Sequence, residues 1–201
     1  MILFAMAIGC LALWIGRIWH TCDLDGWLGL NPNAFWQGHL WMVVTYPLIP
    51  AGVLDFLFNI LLIGWFGSCV ETAWSRWELW TYCLLTVAAG GTAKLLFARL
   101  DASTMVGATP IVFGLMVAWM RLRRHERVQV MLLGETTTLV MGLVMLAASS
   151  VFLWMSSGLV NAVVMLAGAL SGWTYLSIRW KWNLAVEGQQ VGSERMRRLE
   201  L

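Results

Sequence analysis

Long apolar segments, separated by short polar stretches, dominate this sequence and limit what it can fold into. An α-helix needs about 20 mostly apolar residues to cross the hydrocarbon core of a bilayer. The composition agrees, because 60% of the 201 residues are hydrophobic and only 12% are charged. The sequence therefore predicts an all-α polytopic membrane protein, one domain over 1–201, with six transmembrane helices at about residues 2–19, 48–67, 78–98, 108–120, 131–155 and 158–178.

Basic residues predict how these spans are oriented. A positive run at 121–127 follows the fourth span, and a basic tail from residue 179 follows the sixth. Six spans put both on the side of the two termini, which the positive-inside rule makes cytoplasmic. Lys94 and Arg99 fall on the opposite side but are fewer. We expect an integral membrane protein of the bacterial inner membrane, with its first segment a mature helix, because no Lys or Arg precedes that apolar run.

Several function classes find little support in the composition. The net charge of +2 and the lack of a basic, aromatic-rich patch argue against nucleic-acid binding. The four cysteines form no CxxC pair, so neither a redox motif nor a disulfide is predicted. His20, Cys22 and Asp25 are close enough in sequence to suggest a metal site, but a solvated loop is the better interpretation. We expect no metal and no cofactor.

The stretch 105–114 opens the fourth span and carries the most specific pattern. Thr109 followed by Pro110 predicts a helix start, with the hydroxyl as a cap and proline at the first helical position. The pattern Gly107-x-Thr109-x-x-x-Phe113-Gly114 also resembles the Gly-x-Ser-Gly-x-x-Phe-Gly signature of rhomboid intramembrane proteases. By that resemblance Thr109 stands in the place of the nucleophilic serine, and Pro110 in the place of a glycine.

Two more motifs extend the resemblance over about residues 37–178. Rhomboids have His-x-x-x-Asn in the second span for binding the oxyanion, where this chain has Asp55 and Asn59. They have His-x-x-Gly-x-x-x-Gly in the sixth span, where this chain has Met165, Gly168 and Gly172. The resemblance implies a rhomboid-like bundle whose serine–histidine dyad is replaced, and therefore a pseudoprotease rather than an enzyme, because a hydroxyl needs a base to become a nucleophile.

The glycines also predict helix packing. Gly168 and Gly172 are four residues apart, so they remove side-chain bulk from one face of the sixth span. We expect this face to approach the fourth span at Gly107 and Gly114.

Asp55 is the polar residue that most needs an explanation. A carboxyl group inside a membrane span is costly and is expected to have a partner, for which Lys94, Thr109 and Asn59 are the candidates. We favour an intramembrane polar network that joins the second, third and fourth spans over an ion or substrate site.

Two functions follow from an inactive rhomboid-like fold whose partners are other integral membrane proteins and the lipid bilayer. The chain is expected to be a structural or accessory subunit of a larger membrane assembly, through helix–helix contacts. The alternative is a pseudoprotease that binds single-span membrane clients for regulation or trafficking. A carrier using Asp55 and Lys94 would need a continuous polar path, and the sequence has no second polar span to line it.

Overall fold

A bundle of apolar helices, preceded by a chain segment of short helices, makes up the molecule. The computed structural model describes residues 24–98, 102–123, 127–130 and 134–199. The predicted first span and most of the 20–25 cluster lie outside these residues. In chain order the elements are α1 Leu24–Leu28, α2 Pro32–Trp36, α3 Met42–Thr45, α4 Val53–Glu71, α5 Arg76–Leu96, α6 Thr109–Leu122, β1 Arg127–Val130, β2 Gly134–Thr137, α7 Thr138–Ser157 and α8 Leu159–Leu199, with a 3-10 turn at Tyr46–Leu48.

Three stretches among the described residues are long and apolar enough to cross a membrane, namely α4, α5 and the Leu159–Arg179 part of α8. Two shorter apolar stretches, α6 and the Thr138–Val151 part of α7, accompany them. The second span begins later than predicted, at Val53, since Pro50 and Gly52 keep the preceding chain out of helix and Gly52 is fully extended at φ −173°.

The centre of the bundle is α6. Its 14 residues extend about 21 Å at 1.5 Å per residue, less than the roughly 30 Å thickness of a bilayer core. Such a short helix needs protein around it, and every residue from Pro110 to Met120 is buried. It packs against α4, α5, α7 and α8.

Small residues set how closely the helices approach α6. A Cβ built on Gly168 of α8 would lie 2.9 Å from Cα of Pro110, and one built on Gly90 of α5 would lie 2.7 Å from Cγ of Pro110. A Cβ on Gly172 would lie 3.5 Å from Cα of Gly114. Proline at the start of α6 is therefore held between two glycines. Gly107, which we expected in the same contact, lies elsewhere, beside Asp55.

The hydroxyl of Tyr82 ties α5 to the same region. It donates a hydrogen bond to the carbonyl oxygen of Gly114, and the tyrosine is completely buried. The hydroxyl of Tyr46 ties the segment before α4 to α5, because it donates a hydrogen bond to the carbonyl oxygen of Val87 at 3.0 Å.

The start of the predicted fifth span, about 131–155, is wrong. Arg127–Val130 and Gly134–Thr137 are antiparallel strands in which Arg127 pairs with Thr137 and Val130 with Gly134, and α7 begins only at Thr138. Thr136 and Thr137, which fall in the first turns of that predicted span, are β-branched and suit a strand, and Gly134 disfavours helix.

The sixth predicted span, 158–178, is the first half of a longer helix. α8 continues through the polar tail to Leu199. Where the apolar part ends, Arg179 pairs with Glu78 of α5 at 2.7 Å (Nε to Oε1), and its guanidinium lies 5.0 Å from the ring centre of Trp74.

Candidate functional site

A cavity of about 250 Å³ opens where α4, α6 and α8 begin. Its wall combines a carboxylate, two kinds of hydroxyl and an amide with apolar side chains. The lining residues are Ala51, Asp55, Ser103, Thr104, Met105, Val106, Thr109, Asn161 and Val164.

Asp55 reaches this cavity from the first turn of α4. Since α4 begins at Val53, Asp55 is its third residue and lies at the end of the helix, not in the middle of a span as the sequence suggested. Its Oδ2 accepts a hydrogen bond from the backbone N–H of Ala51 at 3.0 Å. Unpaired amides and the helix dipole favour a negative charge at a helix N-terminus, which explains how a half-buried carboxylate is tolerated there.

Gly107 lies beside Asp55 and Thr109, in the turn that precedes α6. Its φ of +106° belongs to the left-handed region that glycine adopts without strain. A Cβ at this position would lie 3.4 Å from Oδ2 of Asp55 and 3.9 Å from Oγ1 of Thr109. These are ordinary van der Waals distances, so the positive φ, and not a lack of space, is what favours glycine here.

The start of α6 differs from the sequence interpretation by one residue. Ala108, not Thr109, is the N-cap residue, and no side chain caps this end. Because the left-handed turn at Gly107 directs the chain into the helix, Thr109 becomes the first helical residue and its side chain lines the cavity.

The segment before α6 is held in place by backbone pairing. Leu30 and Met105 exchange two backbone hydrogen bonds of 2.9 Å, and the N–H of Gly107 donates to the carbonyl of Tyr46 at 3.3 Å. Burial raises the pKa of Tyr46 far above its ordinary value, so its hydroxyl stays protonated and remains a donor.

Lys94 contacts the cavity lining by a hydrogen bond to Ser103. The lysine is fully buried in α5, and its Nζ lies 3.2 Å from Oγ of Ser103. Of the three partners predicted for Asp55, Thr109 shares the cavity lining with it, whereas Lys94 and Asn59 are not lining residues. The intramembrane network of Asp55, Asn59, Lys94 and Thr109 remains a prediction.

Asn59 and Met165 lie deeper in the bundle. Met165 is completely buried. Nδ2 of Asn59 is buried and has no hydrogen-bond partner among the described residues. A buried donor without a partner is costly in any protein interior, so Asn59 is a polar residue that packing alone does not explain.

Sequence reasoning missed Ser103 and Asn161 as members of the site. Asn161 lies one helical turn before Met165, and a polar side chain in an otherwise apolar stretch was the signal that could have identified it. Ser103 lies in a loop, where a serine is unremarkable until the fold brings it beside Lys94.

The polar side chains of this arrangement can hydrogen-bond to a bound group. The carboxylate of Asp55 can accept hydrogen bonds from a polar group, and the hydroxyls of Ser103 and Thr109 can accept or donate them. No histidine is among the lining residues, and the sulfur of buried Met165 is not a useful proton acceptor.

The fold and site define a helical integral membrane protein with a polar cavity at one end of its bundle. The Rhomboid domain family model matches residues 37–182. The chain therefore belongs to the rhomboid family. The comparison with curated proteins gives no match.

Proposed function

We propose that this chain is a catalytically inactive rhomboid protein that binds other membrane segments without cutting them. The proposal rests on the residues at the positions of the family's dyad, Thr109 and Met165. A threonine hydroxyl without a base is a poor nucleophile, and a carboxylate at Asp55 would repel the oxyanion that forms during peptide hydrolysis.

The best-supported activity is the binding of single-span clients at the cavity. The observation that carries it is that the cavity remains open and polar, with Asp55, Thr109 and Asn161 in its wall. Other parts of the protein cover little of the neighbouring helix α4. Only 22% of an 18-residue apolar stretch of α4 is buried, against 50% of the corresponding stretch of α5. A client helix could therefore approach the cavity beside α4 and place a polar or cationic group near Asp55.

An accessory subunit of a larger assembly is the second candidate. One face of α4 is apolar and more than half exposed at Val53, Leu54, Leu57, Phe58 and Leu61. In a bilayer such a face contacts either lipid or a partner helix, and a permanent partner would cover it.

The proposed architecture has six spans with both termini in the cytoplasm of a bacterium. Arg121 and Arg123 at the end of α6 support this orientation, since basic residues mark the cytoplasmic side.

Site-specific photocrosslinking tests the proposal in native membranes. A photoreactive amino acid at Ala51, an exposed cavity residue, would be compared with one at Leu159, which is 57% exposed at the outer end of α8 and is not a lining residue. Each photoreactive variant would be prepared twice, once with the native Asp55 and once with Asp55→Asn. The crosslinked proteins would be identified by mass spectrometry.

Client binding predicts several substoichiometric single-span proteins at Ala51, few at Leu159, and weaker capture with Asp55→Asn. One constant, stoichiometric set of partners that survives gel filtration and ignores Asp55→Asn would instead establish an assembly subunit. Recovery of cleaved clients would refute the inactive assignment.

A further inference from the structure

The lining of the candidate cavity contains a negative group and no basic residue to balance it. Asp55 is the charged residue among the lining residues, and the other polar groups there are hydroxyls and one amide. Lys94 is bonded to Ser103 and is not itself a lining residue. A group that binds in the cavity therefore meets a carboxylate without a positive charge beside it in the same lining.

The carboxylate of Asp55 can accept more hydrogen bonds than the protein gives it. Its two oxygens offer about four acceptor sites. Oδ2 accepts from the N–H of Ala51, and this is the one hydrogen bond to the carboxylate among the described residues. Asp55 is half-buried, so water can reach the remaining sites. A client that covers the cavity removes this water, and a covered carboxylate is costly unless the client brings a positive charge.

The size of the cavity limits how much of a client can enter. One turn of helix, 5.4 Å high and about 10 Å across, fills about 400 Å³, which exceeds the cavity volume of about 250 Å³. The cavity therefore takes a side chain while the client helix stays outside. Its apolar wall includes Met105, Val106 and Val164. A lysine or arginine suits such a wall, because its methylenes contact apolar surface and its charged end reaches polar groups.

The exposed face of α4 places a client helix beside Asp55 and sets the depth of the contact. Leu54 and Phe58 of this face are 71% and 61% exposed. Asp55 is the third residue of α4, so it lies about 3 Å along the axis from the start of the helix. The cavity is at the start of α6, and Arg121 is at the other end of that helix. The basic residue therefore belongs at the end of the client's span that is remote from Arg121.

We propose that the cavity selects clients with a lysine or arginine at this end of their span, and that the basic group pairs with the carboxylate of Asp55. This inference rests on the client binding proposed above and names the group that is recognised. Basic residues are concentrated on the cytoplasmic side of membrane proteins. In the proposed orientation the cavity lies on the opposite side, so a basic residue there distinguishes a client from most other single-span proteins.

Designed single-span helices, co-expressed with the full-length protein, test the inference. The helices share one apolar span with three arginines at the cytoplasmic end, and they differ in one residue at the opposite end, which is lysine, glutamine or glutamate. A photoreactive amino acid at Ala51 reports contact, and the crosslink yield is measured relative to the amount of each helix. Asp55→Asn removes the charge from the cavity. Glu71→Gln is the matched control, because it removes a carboxylate from the other end of α4.

We expect the lysine helix to be captured about ten-fold better than the glutamine helix, which corresponds to about 1.4 kcal/mol, and the glutamate helix least of all. Asp55→Asn should bring the three yields together by lowering the lysine yield and raising the glutamate yield. Misfolding cannot explain the rise, since a misfolded protein would lose capture of every helix. Glu71→Gln should leave the order unchanged.

Equal capture of the lysine and glutamine helices, or an order that persists in Asp55→Asn, would overturn the inference and leave client binding in place. Capture of none of the helices would also overturn it. Native single-span proteins crosslinked at Ala51 in the same membranes then show whether client binding itself holds, and their absence would refute both proposals.

Discussion

Gly168 of α8 lies against Pro110 of α6. A Cβ on this glycine would lie 2.9 Å from both the Cα and the carbonyl oxygen of the proline. This contact joins two positions that the sequence singled out separately, a glycine of the sixth-span motif and the proline beside Thr109. It places α8 next to the candidate site, so that Asn161 and Val164 of the same helix can line the cavity.

Gly168→Ala should destabilise the bundle. A methyl group at this position meets backbone atoms of Pro110, which cannot move aside as a flexible side chain could, so we expect a loss of about 1–3 kcal/mol. Unfolding in detergent measures it. Gly64→Ala is the control, because Gly64 is also helical but has nothing within 4 Å of a built Cβ; it should be neutral or stabilising by up to about 1 kcal/mol. Equal effects of the two variants would contradict the packing described here.

Tyr82→Phe should cost about 1 kcal/mol, because it removes a buried hydrogen bond to the carbonyl of Gly114 and leaves the ring in place. The neighbouring Thr81→Val is the control. The Thr81 hydroxyl is exposed and donates to the carbonyl oxygen of Trp77 in its own helix, so its loss should change stability by less than about 0.5 kcal/mol. Thermal unfolding compares the two. A harmless Tyr82→Phe would show that this bond does not hold α5 to α6.

Asp55→Ala should weaken the start of α4, with a loss of about 1 kcal/mol, because the N–H of Ala51 loses its acceptor and the helix N-terminus loses a favourable charge. Asp55→Asn keeps an oxygen acceptor and should cost less. Chemical denaturation of both variants beside Leu54→Ala, which changes an exposed neighbour, measures the difference. If Asp55→Asn is as damaging as Asp55→Ala, the charge and not the hydrogen bond matters.

Asn59→Leu should leave stability unchanged or raise it by on the order of 1 kcal/mol, because it removes a buried donor that has no partner among the described residues. Asn161→Leu is the contrasting variant, since Asn161 does have a polar or electrostatic partner, and it should lose stability. A decrease in the melting temperature for Asn59→Leu would show that the amide of Asn59 is satisfied in the membrane.

Thr109→Ala should not change reactivity toward a fluorophosphonate probe of serine-type hydrolases, because the unmodified protein is expected to show no labelling. Gel fluorescence of the two purified proteins, with an active rhomboid protease as the positive control, provides the measurement. Labelling of the unmodified protein that disappears in Thr109→Ala would establish an activated hydroxyl and refute the proposed inactivity.

Several features could be predicted from the sequence because they depend on local pattern. Apolar length indicated the membrane helices. The spacing of Thr109, Phe113 and Gly114, with that of Gly168 and Gly172, indicated the rhomboid family, to which the match over residues 37–182 assigns the chain. The fourth span is too short to cross a bilayer by itself, which agrees with the burial of Pro110–Met120 in α6.

The exact helix starts, and with them the site, were decided by tertiary structure. Asp55 looked like a carboxylate inside a span, whereas the extended Gly52 makes it the third residue of α4, where an amide and the helix dipole stabilise it. Gly107 looked like a packing glycine, but its positive φ serves the turn beside Asp55. Ser103 and Asn161 joined the cavity only through folding. Periodicity records which residues face the same way along one helix, whereas a site built from a loop and three helix ends depends on contacts between residues far apart in sequence.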